Sequence, residues 1–137
     1  VERRVIADTS GIIAFLNRDD QYHGAAVEIV RNHNILIPVT VLPEVDYLAT
    51  KYLGERVARA FLEDLAEGNF TYLSVDIEDL AQANLVMARY KDLPLGLVDA
   101  SLVVLAERYH IQQILTLDRR HFGLIKTERI KYLELLP

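Results

Sequence analysis

The sequence predicts an α/β fold: a Rossmann-like three-layer α/β/α sandwich with a central, mainly parallel sheet of four to five strands. Three observations predict it. Apolar runs of about four to six residues, too short for helices, alternate with longer segments whose apolar residues recur at helical spacing. Several of the longer segments open on Asp or Thr, residues that favour helix starts. The two kinds of segment alternate along the whole chain, a pattern that right-handed crossovers turn into a parallel sheet with helices on both faces. The 137 residues suit one domain spanning 1–137, because independently folding units usually hold about 100 to 200 residues.

Arg4 to Ala7 is a short apolar strand ending at the capping triplet Asp8-Thr9-Ser10, after which Ile12, Ile13, Phe15 and Leu16 mark a helix. A second helix runs from Tyr22 to His33, and Ile35-Leu36-Ile37-Pro38-Val39 is a buried strand. Thr40 then caps a helix that carries Pro43 in its first turn, where a missing N–H is harmless, and reaches Tyr52. Gly54 breaks the chain, and Val57, Phe61 and Leu65 recur every fourth residue until Gly68-Asn69 stops that helix. Phe70 to Val75 forms a third strand. Asp76 caps the next helix, with Asp79 in its first turn and Ile77, Leu80, Ala81, Leu85 and Ala88 on one face. The loop Asp92 to Gly96 precedes a helix from Leu97 to Tyr109 that is apolar nearly all round and therefore buried. Ile114 to Leu117 is a fourth strand leading into Asp118, and Ile130 to Leu136 a last edge strand.

Composition removes several kinds of function. With no cysteine, disulfides, thiolate-bound zinc, iron–sulfur clusters and thiol nucleophiles are out, and a metal would take oxygen or imidazole ligands. No Gly-x-Gly-x-x-Gly follows the first strand and no Gly-x-x-x-x-Gly-Lys occurs, so dinucleotide and P-loop readings lack their essential residues. No apolar stretch approaches the roughly 18 residues of a membrane span, so a cytoplasmic protein is expected. Fifteen basic against twenty acidic side chains give a net charge of −5, which at first counts against gripping nucleic acid by bulk positive charge.

In a parallel α/β sheet, the strand C-termini and the following helix N-termini share one edge, and ligands bind there. Four acids map to that edge: Asp8 after the first strand, Glu44 in the first turn after the second, Asp99 at the start of the buried helix, and Asp118 after the fourth strand. Asp99 is the sharpest signal, a carboxylate set among Leu95, Leu97, Val98, Leu102 and Val103. Each acid alone has a plain explanation as a helix cap or a dipole partner. Together, carboxylates ~4 Å apart repel by about 4 kcal/mol at an effective dielectric near 20, and a hard divalent cation relieves that. Without these four, fifteen bases face sixteen acids and the charge is −1, so the acidity is concentrated in one candidate pocket. Thr9 and Ser10 adjoin it as groups able to hydrogen-bond the ligand carboxylates. Arg119 and Arg120 are candidates for phosphate contact, and Tyr22, Tyr47 and Tyr52 for base stacking. His121 reads as a surface histidine beside a turn.

These residues resemble the PIN-domain ribonucleases, and more narrowly the VapC-like toxins of prokaryotic toxin–antitoxin pairs. The resemblance covers nearly the whole chain and rests on Ile6-Ala7-Asp8-Thr9-Ser10, Pro43-Glu44-Val45, Gly96-Leu97-Val98-Asp99-Ala100-Ser101-Leu102 and Leu115-Thr116-Leu117-Asp118-Arg119-Arg120-His121-Phe122. It implies an endoribonuclease using one or two Mg²⁺ or Mn²⁺ ions held by Asp8, Glu44, Asp99 and Asp118. Asp8 and Asp99 would be the most direct ligands. It also implies a homodimer neutralised by a small antitoxin. Three alternatives stay open: a housekeeping RNA-processing nuclease of the same fold, a non-catalytic metal-containing binding module, and a phosphatase-like enzyme. The last usually shows a second acid two residues after the first-strand Asp, where this chain has Ser10.

Overall fold

The computed structural model describes residues 3–93, 95–127, 130 and 133–137. Strand β1 (Arg4–Ala7) leads into helix α1 (Thr9–Leu16), followed by α2 (His23–Asn32), β2 (Asn34–Pro38), α3 (Leu42–Leu53) and α4 (Glu55–Ala66). Then come β3 (Thr71–Leu73), α5 (Ile77–Arg89), α6 (Leu97–Tyr109), β4 (Gln113–Leu115), α7 (Arg119–Phe122) and β5 (Glu134–Leu136). The five strands form one sheet in the order β3-β2-β1-β4-β5, and every pairing is parallel. In the register, Ile6 lies opposite Leu36 on one side and Ile114 on the other. Helices α5 and α6 pack together, while α1 packs on α2 and α3, and α3 on α4, completing the three-layer α/β/α arrangement.

The core is built from the central strands and from α6, whose residues Ala100 to Ala106 are all buried. Such a run fits the all-round apolarity of that segment. Helix α1 approaches β4 closely because Gly11 has no side chain: a Cβ there would sit 2.4 Å from the Leu115 carbonyl oxygen. Phe15 meets Phe70 edge-on at 6.1 Å, and Phe61 meets the same ring at 5.7 Å, a favourable aromatic geometry that fastens α1 and α4 around the start of β3.

Two expectations change in the structure, and one apolar face proves uncovered. Thr40 does not cap a helix; it lies in a short 3-10 turn, Val39–Val41, and its hydroxyl is 2.6 Å from that of Ser101. That bond ties the segment after β2 to α6. The third and last strands are shorter than predicted, and Lys131 and Tyr132 of the predicted last strand lie outside the described residues. The apolar face of α5 is turned to solvent, with Ile77 at 77% and Leu85 at 60% exposure. The buried side of α5 holds Ala83 and Asp79 instead. Asp79 is satisfied there by a 2.7 Å bond from Arg108 and by the Asp76 N–H at 2.9 Å, the second half of a capping box with Asp76.

Candidate active site

Strand order reverses at β1, with β2 on one side and β4 on the other, and ligands bind outside the strand C-termini at such a crevice. Asp8 follows β1 directly and Asp118 lies just beyond β4, at the start of α7. Asp99 stands in the first turn of α6 and Glu44 in the first turn of α3. Asp8 and Asp118 occupy helix-start positions, and neither makes a side-chain cap; α6 begins at Gly96, so Asp99 is no cap either. Asp99 and Asp118 come together instead.

Oδ2 of Asp8 accepts a hydrogen bond from the Thr116 hydroxyl at 2.9 Å and a longer one from Ser10 at 3.4 Å. The Thr116 oxygen in turn accepts from the Asp118 N–H at 3.0 Å, and the Ser10 oxygen from the Leu117 N–H at 2.9 Å. Thr116 is fully buried, so this network fixes Asp8 and the Asp118 backbone relative to each other. Nothing in the sequence singles Thr116 out, since a threonine in a strand is ordinary. Thr9 acts through its backbone, whose N–H bonds Asp8, while its buried hydroxyl has no hydrogen-bond partner.

The tightest grouping is Asp99, Asp118 and His121, whose ligand atoms all lie within 4.8 Å of one another. His121 is therefore not the surface side chain that its place beside a turn suggests. Its Nδ1 lies 3.2 Å from Oδ2 of Asp118 and 3.6 Å from Oδ2 of Asp99, with the side chain only 15% exposed. The available signal is its spacing: three residues after Asp118, on a helical turn, both groups share a face. Phe122, fully buried, anchors that turn.

Asp8 and Glu44 are outside the tight group but within electrostatic reach. Burial raises the Asp8 carboxyl above its usual range, the Thr116 and Thr9 hydrogen bonds oppose this, and the charges of Asp118 and Glu44 add to it. Burial likewise pushes Asp99 up to about 6, with Asp8 and Asp118 contributing, His121 opposing and Glu44 adding. A cluster in which carboxylates resist ionisation, beside a buried nitrogen lacking a hydrogen bond, is a donor set suited to a divalent cation.

Directly after Asp118 in the chain, Arg120 is exposed, and Arg119 is exposed but donates to the Pro137 carbonyl oxygen. Tyr47 and Tyr52 are exposed on α3, with the Lys51 ammonium 5.7 and 5.2 Å from their ring centroids. Tyr22 is exposed before α2. A groove of about 470 Å³ lies elsewhere, between α5 and α6, and is lined by residues including Gln82, Arg89, Glu107 and Lys126; none of the four acids borders it. Among the described residues no helix is long and apolar enough to cross a membrane.

Comparison with known proteins places this geometry. The family model described as "PIN domain" matches residues 5–127. The chain is 34% identical over 124 residues to Ribonuclease VapC26 of Mycobacterium tuberculosis, covering 89% of this chain and 92% of that protein. The crystal structure of Mycobacterium tuberculosis VapC20, a toxin that cleaves the sarcin–ricin loop, superposes with a TM-score of 0.78 at 22% identity over 85% of this chain and 91% of that one. VapBC2 from Rickettsia felis, solved on a DNA fragment from its promoter, superposes with a TM-score of 0.71 at 17% identity over 98% and 99%.

Proposed function

Because the chain belongs to the PIN-domain family, we propose that it is a divalent-metal-dependent endoribonuclease of VapC type, the toxin of a toxin–antitoxin pair. The observation that carries this reading is the convergence of Asp99, Asp118 and His121 within 4.8 Å, with Asp8 and Glu44 close enough for their charges to raise Asp99. In this reading Asp8, Glu44, Asp99 and Asp118 hold one or two Mg²⁺ or Mn²⁺ ions. When bound, such an ion activates water for attack and neutralises charge on the scissile phosphate. The chain's own residues position the centre: Thr116 and Ser10 hold the Asp8 carboxylate, and buried apolar neighbours confine Asp99. Arg119 and Arg120 contact RNA phosphates. No protein nucleophile is required.

The partners in this reading are an RNA substrate, a small antitoxin protein and a second copy of the chain. Ile77, Leu80 and Leu85 all stand exposed on α5, apolar surface that a second copy would cover, and this supports the homodimer. The chain 1–137 acts as a single domain in the cytoplasm. The test is cleavage of end-labelled RNA by purified protein. Fragments should form with Mg²⁺ or Mn²⁺ and vanish with chelator or in Asp99→Asn; equal cleavage by that variant contradicts the reading.

A further inference from the structure

We propose that His121 is itself a ligand of the catalytic ion, making the site a mixed carboxylate–imidazole centre with Asp99 and Asp118 that favours Mn²⁺ over Mg²⁺. The proposal rests on the metal-dependent reading above and adds a nitrogen donor to its four acids. Nδ1 of His121 is buried and lies between two carboxylates at 3.2 and 3.6 Å, yet it has no hydrogen-bond partner. A buried polar atom in that state is costly unless something else satisfies it. Local structure holds it there: α7 spans only Arg119–Phe122, and the fully buried Phe122 ring keeps the turn against the core. The other histidines are occupied or remote from the acids, with His23 and His33 bonded to the carbonyls of Ala14 and Ile29, and His110 ending α6.

The chemistry then separates the two ions. Mg²⁺ demands hard oxygen ligands and near-ideal octahedral geometry. Mn²⁺, although the weakest binder of the first-row series, is a transition ion that accepts an imidazole nitrogen beside oxygen ligands more readily than Mg²⁺ does. A nitrogen ligand at this position therefore raises Mn²⁺ affinity with little gain for Mg²⁺.

The test is pulsed electron paramagnetic resonance of the full chain loaded with Mn²⁺, beside calorimetric titrations with Mn²⁺ and with Mg²⁺. Wild type should show a directly coupled histidine nitrogen that changes when the protein is made with ¹⁵N-histidine. In His121→Gln the coupling should vanish, and the ratio of Mn²⁺ to Mg²⁺ affinity should drop on the order of tenfold. The isotope comparison on wild type needs no variant, so poor folding of His121→Gln leaves the test intact. Bound Mn²⁺ without nitrogen coupling, in a protein that cleaves RNA, overturns this proposal alone. Failure of both ions to bind overturns it together with the metal-dependent reading.

Discussion

The Thr116 hydroxyl donates to Oδ2 of Asp8 at 2.9 Å across 108 residues of sequence. This bond joins the ends of adjacent strands β1 and β4, and it holds the Asp8 carboxylate, which makes no cap bond to α1. Thr116→Val keeps the shape and removes the donor, leaving a buried carboxylate and the Asp118 N–H each short of a partner. Groups that orient metal ligands typically contribute about 10- to 100-fold. RNA cleavage by Thr116→Val should fall by about that factor, and Thr116→Ser should recover most of it.

Stability should respond to pH through Asp99. Its carboxyl is raised from 3.8 to about 6 in the folded chain, so the folded state binds its proton more tightly than the unfolded state. The resulting stabilisation is fully present below the unfolded value and is lost as pH rises through about 6. In chelator, the melting temperature should fall as pH rises from about 4 to about 6, the interval between the unfolded and folded values of Asp99, and the fall should shrink in Asp99→Asn. Cation binding requires the ionised carboxylates, so affinity should weaken as pH drops below about 6. Circular dichroism melts and metal titrations across that window check both signs.

Gly11 is a packing requirement. A Cβ there would lie 2.4 Å from the Leu115 carbonyl oxygen and 2.6 Å from Leu115 Cγ, so α1 must move off β4. Gly11→Ala should destabilise by about 1–3 kcal/mol. Gly24 lies within α2 with open space around it, and Gly24→Ala should stabilise by up to about 1 kcal/mol. Urea unfolding of the two variants should give opposite signs, and a neutral or stabilising Gly11→Ala contradicts the packing role.

The solvent-facing apolar face of α5 predicts self-association. Replacing Leu80 and Leu85 by Glu together should turn a dimer into a monomer in sedimentation while leaving helix content unchanged. A monomeric wild type at the concentrations used contradicts this role for the face.

The four acids are legible in the sequence because strand and helix alternation assigns each of them to one edge before any contact is known. Thr116 is not legible, because its role depends on β4 lying beside β1, and strand order is a property of the packed sheet. His121 is harder to read for another reason: α7 has four residues, too few for periodicity to announce a helix, so the three-residue spacing from Asp118 carries little weight by itself. Helix α5 shows the limit of amphipathic spacing, which reveals an apolar face without revealing whether the chain's own core covers it. The buried Asp79 on the opposite side is intelligible only through Arg108, 29 residues away.

The most direct measurement of the central claim is the map of RNA 5′ ends in cells after brief expression of wild type and of Asp99→Asn. A metal-dependent endoribonuclease acting through Asp99 should create new ends at a restricted set of positions with wild type, and those ends should be absent with Asp99→Asn. The same new ends in both strains, or none with wild type, would contradict the account.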